Sequence, residues 1–302
     1  MNTVKRPSVQ EELQRNPELK EVDLQHLRDW YTKQPHYPRN FPDEDFVYFL
    51  HVSDYELEQA KVTIENFLTC RTHTPEFFSN RDPVGCKELR TAMGTVCILP
   101  LEQRTPEGYG VLYTRLINYD VDRFSYYDNM RLMNMIAELW VLQQGTMKGQ
   151  VMICDIQGVK MSHALRTPLS GVKKSLHYLQ EAAPIRLKAL HYLNTSSVMD
   201  FMLTLMKPFI KKELMDMFHL HHSVESLKKH MPIEILPNEA GGNAGPIDEL
   251  YGKVLKNLED HREYFLAEER EMRVNESLRP GKGKAAKKVA EFQSSFEKLD
   301  ID

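Results

Sequence analysis

A chain of 302 residues with 41% hydrophobic and 27% charged residues can bury a large core, in one large domain or two unequal ones. Its formal charge of −4 and sequence pI near 6.3 argue against a nucleic-acid binder. The four cysteines (Cys70, Cys86, Cys97 and Cys154) show no CxxC pair and no zinc-finger spacing, and fit buried thiols in a reducing compartment.

Residues 8 to 80 read as a helical, polar opening unit. Ser8 and Glu11 have the spacing of a capping box. Leu24, Leu27 and Trp30 mark one face of a short helix over 23–30, and Pro35 and Pro38 break the chain after it. A helix over 43–51 follows, with Phe46, Val47, Phe49 and Leu50 on its apolar side. In the next, longer one Leu57, Ala60, Ile64, Phe67 and Leu68 recur at helical steps. Residues 76 to 108 read as irregular, apart from an edge strand over 93–101. Gly108 and Gly110 lead into a strand ending at Leu116. A dinucleotide loop follows its strand, so this Gly-x-Gly is read as a hairpin. A long helix over 125–144 carries Met130, Met133, Ile136, Ala137, Trp140 and Val141 and stops at Gly145.

The centre of the chain reads strand, helix, strand, helix, which points to a mainly parallel sheet covered by helices. The run 150–156 is apolar and β-branched and ends at Gly158; helical spacing over 169–183 stops at Pro184; 187–193 is the second strand. The predicted helix over 198–210 is apolar on almost every side, unlike the one-sided helix that usually covers a sheet. It either fills a core or faces an apolar guest, a membrane or a partner with its second side. Its apolar run is interrupted by Asp200, Lys207 and Pro208 and is too short to span a bilayer. No apolar segment follows Met1–Pro7, so a cytoplasmic protein is expected. Methionine is concentrated in this helix and in the one over 125–144, as in an adaptable apolar lining, although methionine fills ordinary cores too. Further on come a strand over 217–221, a short helix over 224–230, a glycine-rich loop over 239–246 and a charged helix over 247–273. The run 279–288 carries five basic residues and no acid, as a solvated linker or a weak contact for an anionic surface; Phe292, Phe296 and Leu299 follow it. The division expected is a helical unit over 1–80, a ligand-binding domain over 81–245, and a helix and tail over 246–302.

Chemistry-bearing patterns are scarce. His219 and His221 share a strand face as half a metal site, but spacing points to no third ligand, so no metal is expected. Asp155 ends a strand, where it reads as a cap for the Gln157–Gly158 loop before it reads as a catalytic acid. Ser162 and His163 are adjacent, which is not a nucleophile–base geometry, and there is no G-x-S-x-G, P-loop or HExxH. The chain reads as a binder with no cofactor, not as an enzyme.

Several segments carry a family resemblance. They are Phe49-Leu50, Leu57-Glu58-Gln59-Ala60, Phe67-Leu68 and Arg71; Cys154 to Gly158 with Ser162-His163-Ala164; Pro184 to Asn194; Met206 to Ile210; and Ile235-Leu236-Pro237 with Gly241-Gly242. In this order the chain resembles the CRAL-TRIO (Sec14-like) lipid-transfer family over roughly residues 10 to 275, close to its tocopherol-transfer and retinaldehyde-binding branch and that branch's insect members. The resemblance implies an α/β fold: an all-helical N-terminal unit, then a mostly parallel sheet flooring an apolar pocket under a mobile helical gate. It implies a soluble carrier of a small hydrophobic ligand (a tocopherol, retinoid, carotenoid or similar lipid) with transient membrane contact. A regulatory or scaffold protein using the same fold for partner binding is the alternative. The implied pocket residues are Ile136, Trp140, Ile153, Ile156, Tyr178, Leu179, Ala183, Leu187, Leu190, Phe201, Leu205 and Phe209, with the Tyr178 phenol available to a ligand hydroxyl or carbonyl. Arg186, Lys188, Lys211 and Lys212 are candidates for an anionic headgroup. The family's arginine-bearing segment reads Phe49-Leu50-His51-Val52-Ser53 here, and its two basic gate positions fall on Glu213 and Met217, so phosphoinositide specificity is not expected.

Overall fold

The computed structural model describes residues 4–280. The helical opening unit comprises α1 (Val9–Arg15), α2 (Glu21–Thr32), α3 (Asp43–Val52) and α4 (Leu57–His73). The Ser8 hydroxyl accepts the Glu11 amide and the Glu11 carboxylate accepts the Ser8 amide, closing the box that starts α1. Phe46, Phe49, Leu50, Ile64 and Leu68 form the unit's own core, which also takes in Ala182 and Met272 from distant parts of the chain. Next come α5 (Pro75–Phe78) and α6 (Lys87–Met93), in the stretch expected to be irregular; Pro75 sits where a helix's first free N–H is not needed. They are shorter than the two-turn windows in which periodicity is visible.

The sheet is built from β1 (Val96–Pro100), β2 (Gly110–Leu116), then α7 (Tyr126–Gln144), β3 (Gln150–Asp155), α8 (Met161–Leu165), α9 (Leu169–Glu181), β4 (Leu187–Leu193), α10 (Ser197–Met206), α11 (Lys212–Met215) and β5 (Phe218–Leu220). Its strands lie side by side in sequence order, β1 antiparallel to β2 and the rest parallel. Side chains alternate between the faces, so register divides the sheet into two surfaces. One carries the row Leu112, Met152, Leu190 and Phe218; the other carries Tyr113, Ile153, His191 and His219.

The all-round apolar helix is shorter than its composition suggests. It ends at Met206, because Pro208 has no N–H to continue it; a 3₁₀ turn, Lys207–Phe209, leads into α11. The helix expected over 224–230 is likewise a 3₁₀ turn, Val224–Lys229. The charged helix beyond the glycine-rich loop is two helices, α12 (Ile247–Asp260) and α13 (Arg262–Glu271), parted at His261, whose Nδ1 donates to the Asn257 carbonyl at 2.7 Å. Arg279 pairs with Glu65 and Glu276, and the remainder of the basic run, with Phe292, Phe296 and Leu299, lies outside the described residues.

Gly145 ends α7 at φ +75°, and a Cβ there would lie 2.6 Å from the Arg15 guanidinium and closer still to Glu12. Its absence lets α1 dock: Arg15 donates to the Gln144 carbonyl at 2.8 Å and the Thr146 amide to Glu12 at 3.0 Å.

Candidate functional site

The Leu112–Met152–Leu190–Phe218 face floors a cavity of about 320 Å³. Cys154 and Tyr192 continue the floor along the next row. One wall is α7, where Met130, Met133, Ala137 and Trp140 recur at helical spacing; Val172, Leu176 and Leu179 of α9 form another. Met202, Leu205 and Met206 of α10 roof it. The volume lies at the lower end of the range usual for small-molecule sites. Gly110 earns its place here: a Cβ would come within 2.7 Å of the Trp140 ring, so glycine in β2 lets that indole lie against the sheet edge.

One end of the chamber is ionic and densely bonded. Arg71 of α4 and Arg81 each bond both Glu138 of α7 and Glu268 of α13; to Glu138 the distances are 2.5 and 2.6 Å. Arg273 reaches Glu268 at 2.9 Å and the Tyr264 hydroxyl donates to Glu138 at 2.5 Å. Burial alone would raise both carboxyls, but Arg71 and Arg81 outweigh it and hold Glu138 and Glu268 below the ordinary glutamate range. Arg6 and Asp45 pair beside them at 2.7 Å. These groups set four guanidiniums against three carboxylates and tie the opening unit to α7 and α13.

Of the residues expected around a ligand, Trp140, Tyr178, Leu179, Ala183, Leu190 and Leu205 line the chamber. The Tyr178 phenol sits against Phe78 at 5.0 Å between ring centres; burial raises its pKa to about 12, opposed by neighbouring Arg71. The other six fall outside the lining. Ile136 is one helical step off the inward line and packs in the core on the far side of α7. Ile153 points through the sheet away from its neighbours Met152 and Cys154, the ordinary consequence of strand alternation. Ile156, Leu187 and Phe209 are partly buried and pack against the cluster of Val172, Leu176, Met199 and Met206, part of which forms the wall and roof, without reaching the chamber themselves. Phe201 is half-buried on α10, whose chamber-facing residues are Met202, Leu205 and Met206 instead. Tyr48, Phe49 and Phe67 from the opening unit and Tyr264 and Met272 from the chain's end complete the lining. Apolar residues far apart in sequence give no periodic signal of meeting one another.

The headgroup candidates are partly engaged. Arg186 bonds Asp54 at 2.6 Å and the His51 carbonyl at 2.7 Å, and Lys211 pairs with Glu181; Lys188 and Lys212 are exposed. Asp155 accepts from the Gln157 amide (3.0 Å), Tyr113 (2.8 Å) and Asn194 (2.7 Å), so its oxygens fix the loop after β3 and are not presented to a substrate. The His163 ring accepts the Lys160 amide at 3.0 Å and packs edge-on against Phe124, away from any nucleophile–base pairing with Ser162.

A helical unit joined to a parallel sheet that encloses an apolar chamber defines an α/β protein built around an internal compartment. The family follows from comparison with known proteins. The model described as CRAL/TRIO domain matches residues 95–242, and that described as Pinta-like, UBA domain matches residues 16–87. The alpha-tocopherol transfer protein-like protein of Homo sapiens is 32% identical over 241 residues, 79% of this chain and 70% of that one. Clavesin-1 of Mus musculus is 26% identical over 243 residues, 78% of this chain and 68% of that one. The crystal structure of Sfh5 superposes on 77% of this chain and 92% of that chain with 12% identity and a TM-score of 0.45. The chain belongs to the CRAL-TRIO family, whose members are lipid-binding transfer proteins. Among the described residues no helix is long and apolar enough to cross a membrane.

Proposed function

We propose that this protein binds one small hydrophobic molecule in the chamber and carries it between membranes through the cytoplasm, without making or breaking a bond. The observation that carries this reading is the apolar chamber under a roof helix whose Leu205 lines the interior while remaining 37% exposed. A ligand burying roughly 400 Å² of apolar area gains on the order of 10 kcal/mol at ~25 cal/mol/Å². Such a guest leaves slowly into water, and a membrane that takes up the outer side of α10 lowers the cost of opening. The 32% identity to alpha-tocopherol transfer protein-like supports a place in the tocopherol-transfer branch, and with it a tocopherol, a retinoid, a carotenoid or a lipid of similar size. A scaffold role is less well supported, because a fold used only for its surface would not need open internal volume.

The test is transfer of a fluorescent hydrophobic ligand from donor to acceptor vesicles. Acceleration in proportion to protein concentration, reduced by Leu205→Asp, is expected; no acceleration over the spontaneous rate would overturn the carrier reading. Adding a bisphosphorylated inositide to the vesicles is expected to change the rate by less than about twofold, since Arg186 and Lys211 already have carboxylate partners. A strong preference for that lipid, lost on neutralising Arg186 and Lys188, would contradict this part.

A further inference from the structure

The sheet face away from the chamber carries a histidine cluster that the carrier reading does not use. His191 lies on β4 between Ile153 and His219, and β5, the last strand of the sheet, brings His219 and then His221 alongside it. The turn Val224–Lys229 folds back and delivers His230 over the same spot. One ring nitrogen from each of His191, His221 and His230 lies within 4.8 Å of the others, and His191 Nδ1 is 2.9 Å from His221 Nε2. The His219 ring stacks on His191 at 4.8 Å between centres and completes the wall.

We propose that His191, His221 and His230 form a binding site for a divalent transition-metal ion of the zinc class. Three imidazoles are a donor set suited to such an ion, with a fourth position left to water or to His219. Tetrahedral zinc with its usual Zn–N bonds holds its donors about 3.3 Å apart, so the present spacing needs only small side-chain adjustments. The outer hydrogen bonds already orient one ligand. The Ser226 hydroxyl donates to the Ser223 carbonyl at 2.8 Å, so its lone pair accepts the Nδ1–H of His221, also at 2.8 Å. That leaves the Nε2 lone pair of His221 directed into the cluster. An ion here would join β4 to β5 where the chain enters and leaves the roof segment α10–α11.

The experiment is titration of the metal-stripped full chain with Zn²⁺ against a chromogenic chelator, repeated with Co²⁺ to read the ligand-field spectrum. One equivalent bound, with a tetrahedral-type cobalt spectrum, is expected. His230 is exposed, so His230→Ala tests the site at little cost to folding and should weaken binding by at least about tenfold. Ser226→Ala should weaken it as well, whereas His222→Ala, an exposed neighbour outside the cluster, should leave it unchanged. Failure to retain one equivalent, or equal affinity in wild type and His230→Ala, would overturn the proposal and leave a neutral histidine pair joined by a hydrogen bond.

Discussion

Replacing Glu268 with glutamine is expected to destabilise the protein by about 3–5 kcal/mol, the usual cost of breaking a buried ionic group by removing one partner. The variant keeps the side chain's shape but leaves Arg71, Arg81 and Arg273 facing the single charge of Glu138. Arg81 is fully buried, so water cannot make up the loss. Urea unfolding at neutral pH measures it, and a change below about 1 kcal/mol would show that the network contributes little. The same network predicts the response to acid. Both carboxyls have native pKa values below their unfolded ones, so their stabilisation is present above the ordinary glutamate range near ~4.3. It is lost as the pH falls from there through the lowered native values. Glu268→Gln should therefore unfold with a flatter dependence on pH below that range than the wild type.

Ala137→Trp is expected to weaken ligand binding by roughly tenfold to a hundredfold while leaving the fold intact. Ala137 is a small side chain on the inward face of α7, and an indole there grows into the chamber, where it meets open volume before it meets packed atoms. A ligand must then displace the indole or accept overpacking of about 1–3 kcal/mol, which corresponds to a loss of roughly tenfold to a hundredfold in affinity. Equilibrium titration with a fluorescent hydrophobic ligand reads this directly, with circular dichroism as the check on folding. Unchanged affinity in a folded variant would place the ligand elsewhere.

The elements with strong periodicity were legible from the residues alone. β4 was placed residue for residue, α7 starts one residue after its predicted first position, and the Ser8–Glu11 box forms as its spacing implies. The elements that were missed are too short to show a period, as with α5 and α6, or are interrupted by one residue, as with Pro208 and His261. The site was harder to read than the fold. Met152 lines the chamber while Ile153 points through the sheet, and Ala137 lines it while Ile136 packs beyond α7, because one position turns a strand side chain to the other face and a helix side chain by about 100°. The ionic end of the chamber joins residues from four distant segments, and the histidine cluster needed His191 and His230 to be brought beside the visible His219–His221 pair. Both are products of register and chain return, which local pattern does not contain.

The chamber is expected to hold a hydrophobic molecule. The most direct measurement is to purify the protein from its source or a rich host, denature it, and identify what it carried by mass spectrometry. One dominant hydrophobic compound at close to one molecule per chain is the predicted result, and it would name the ligand class as well. A protein that is consistently empty, and stays empty after incubation with mixed lipids, tocopherols and retinoids, would contradict the account.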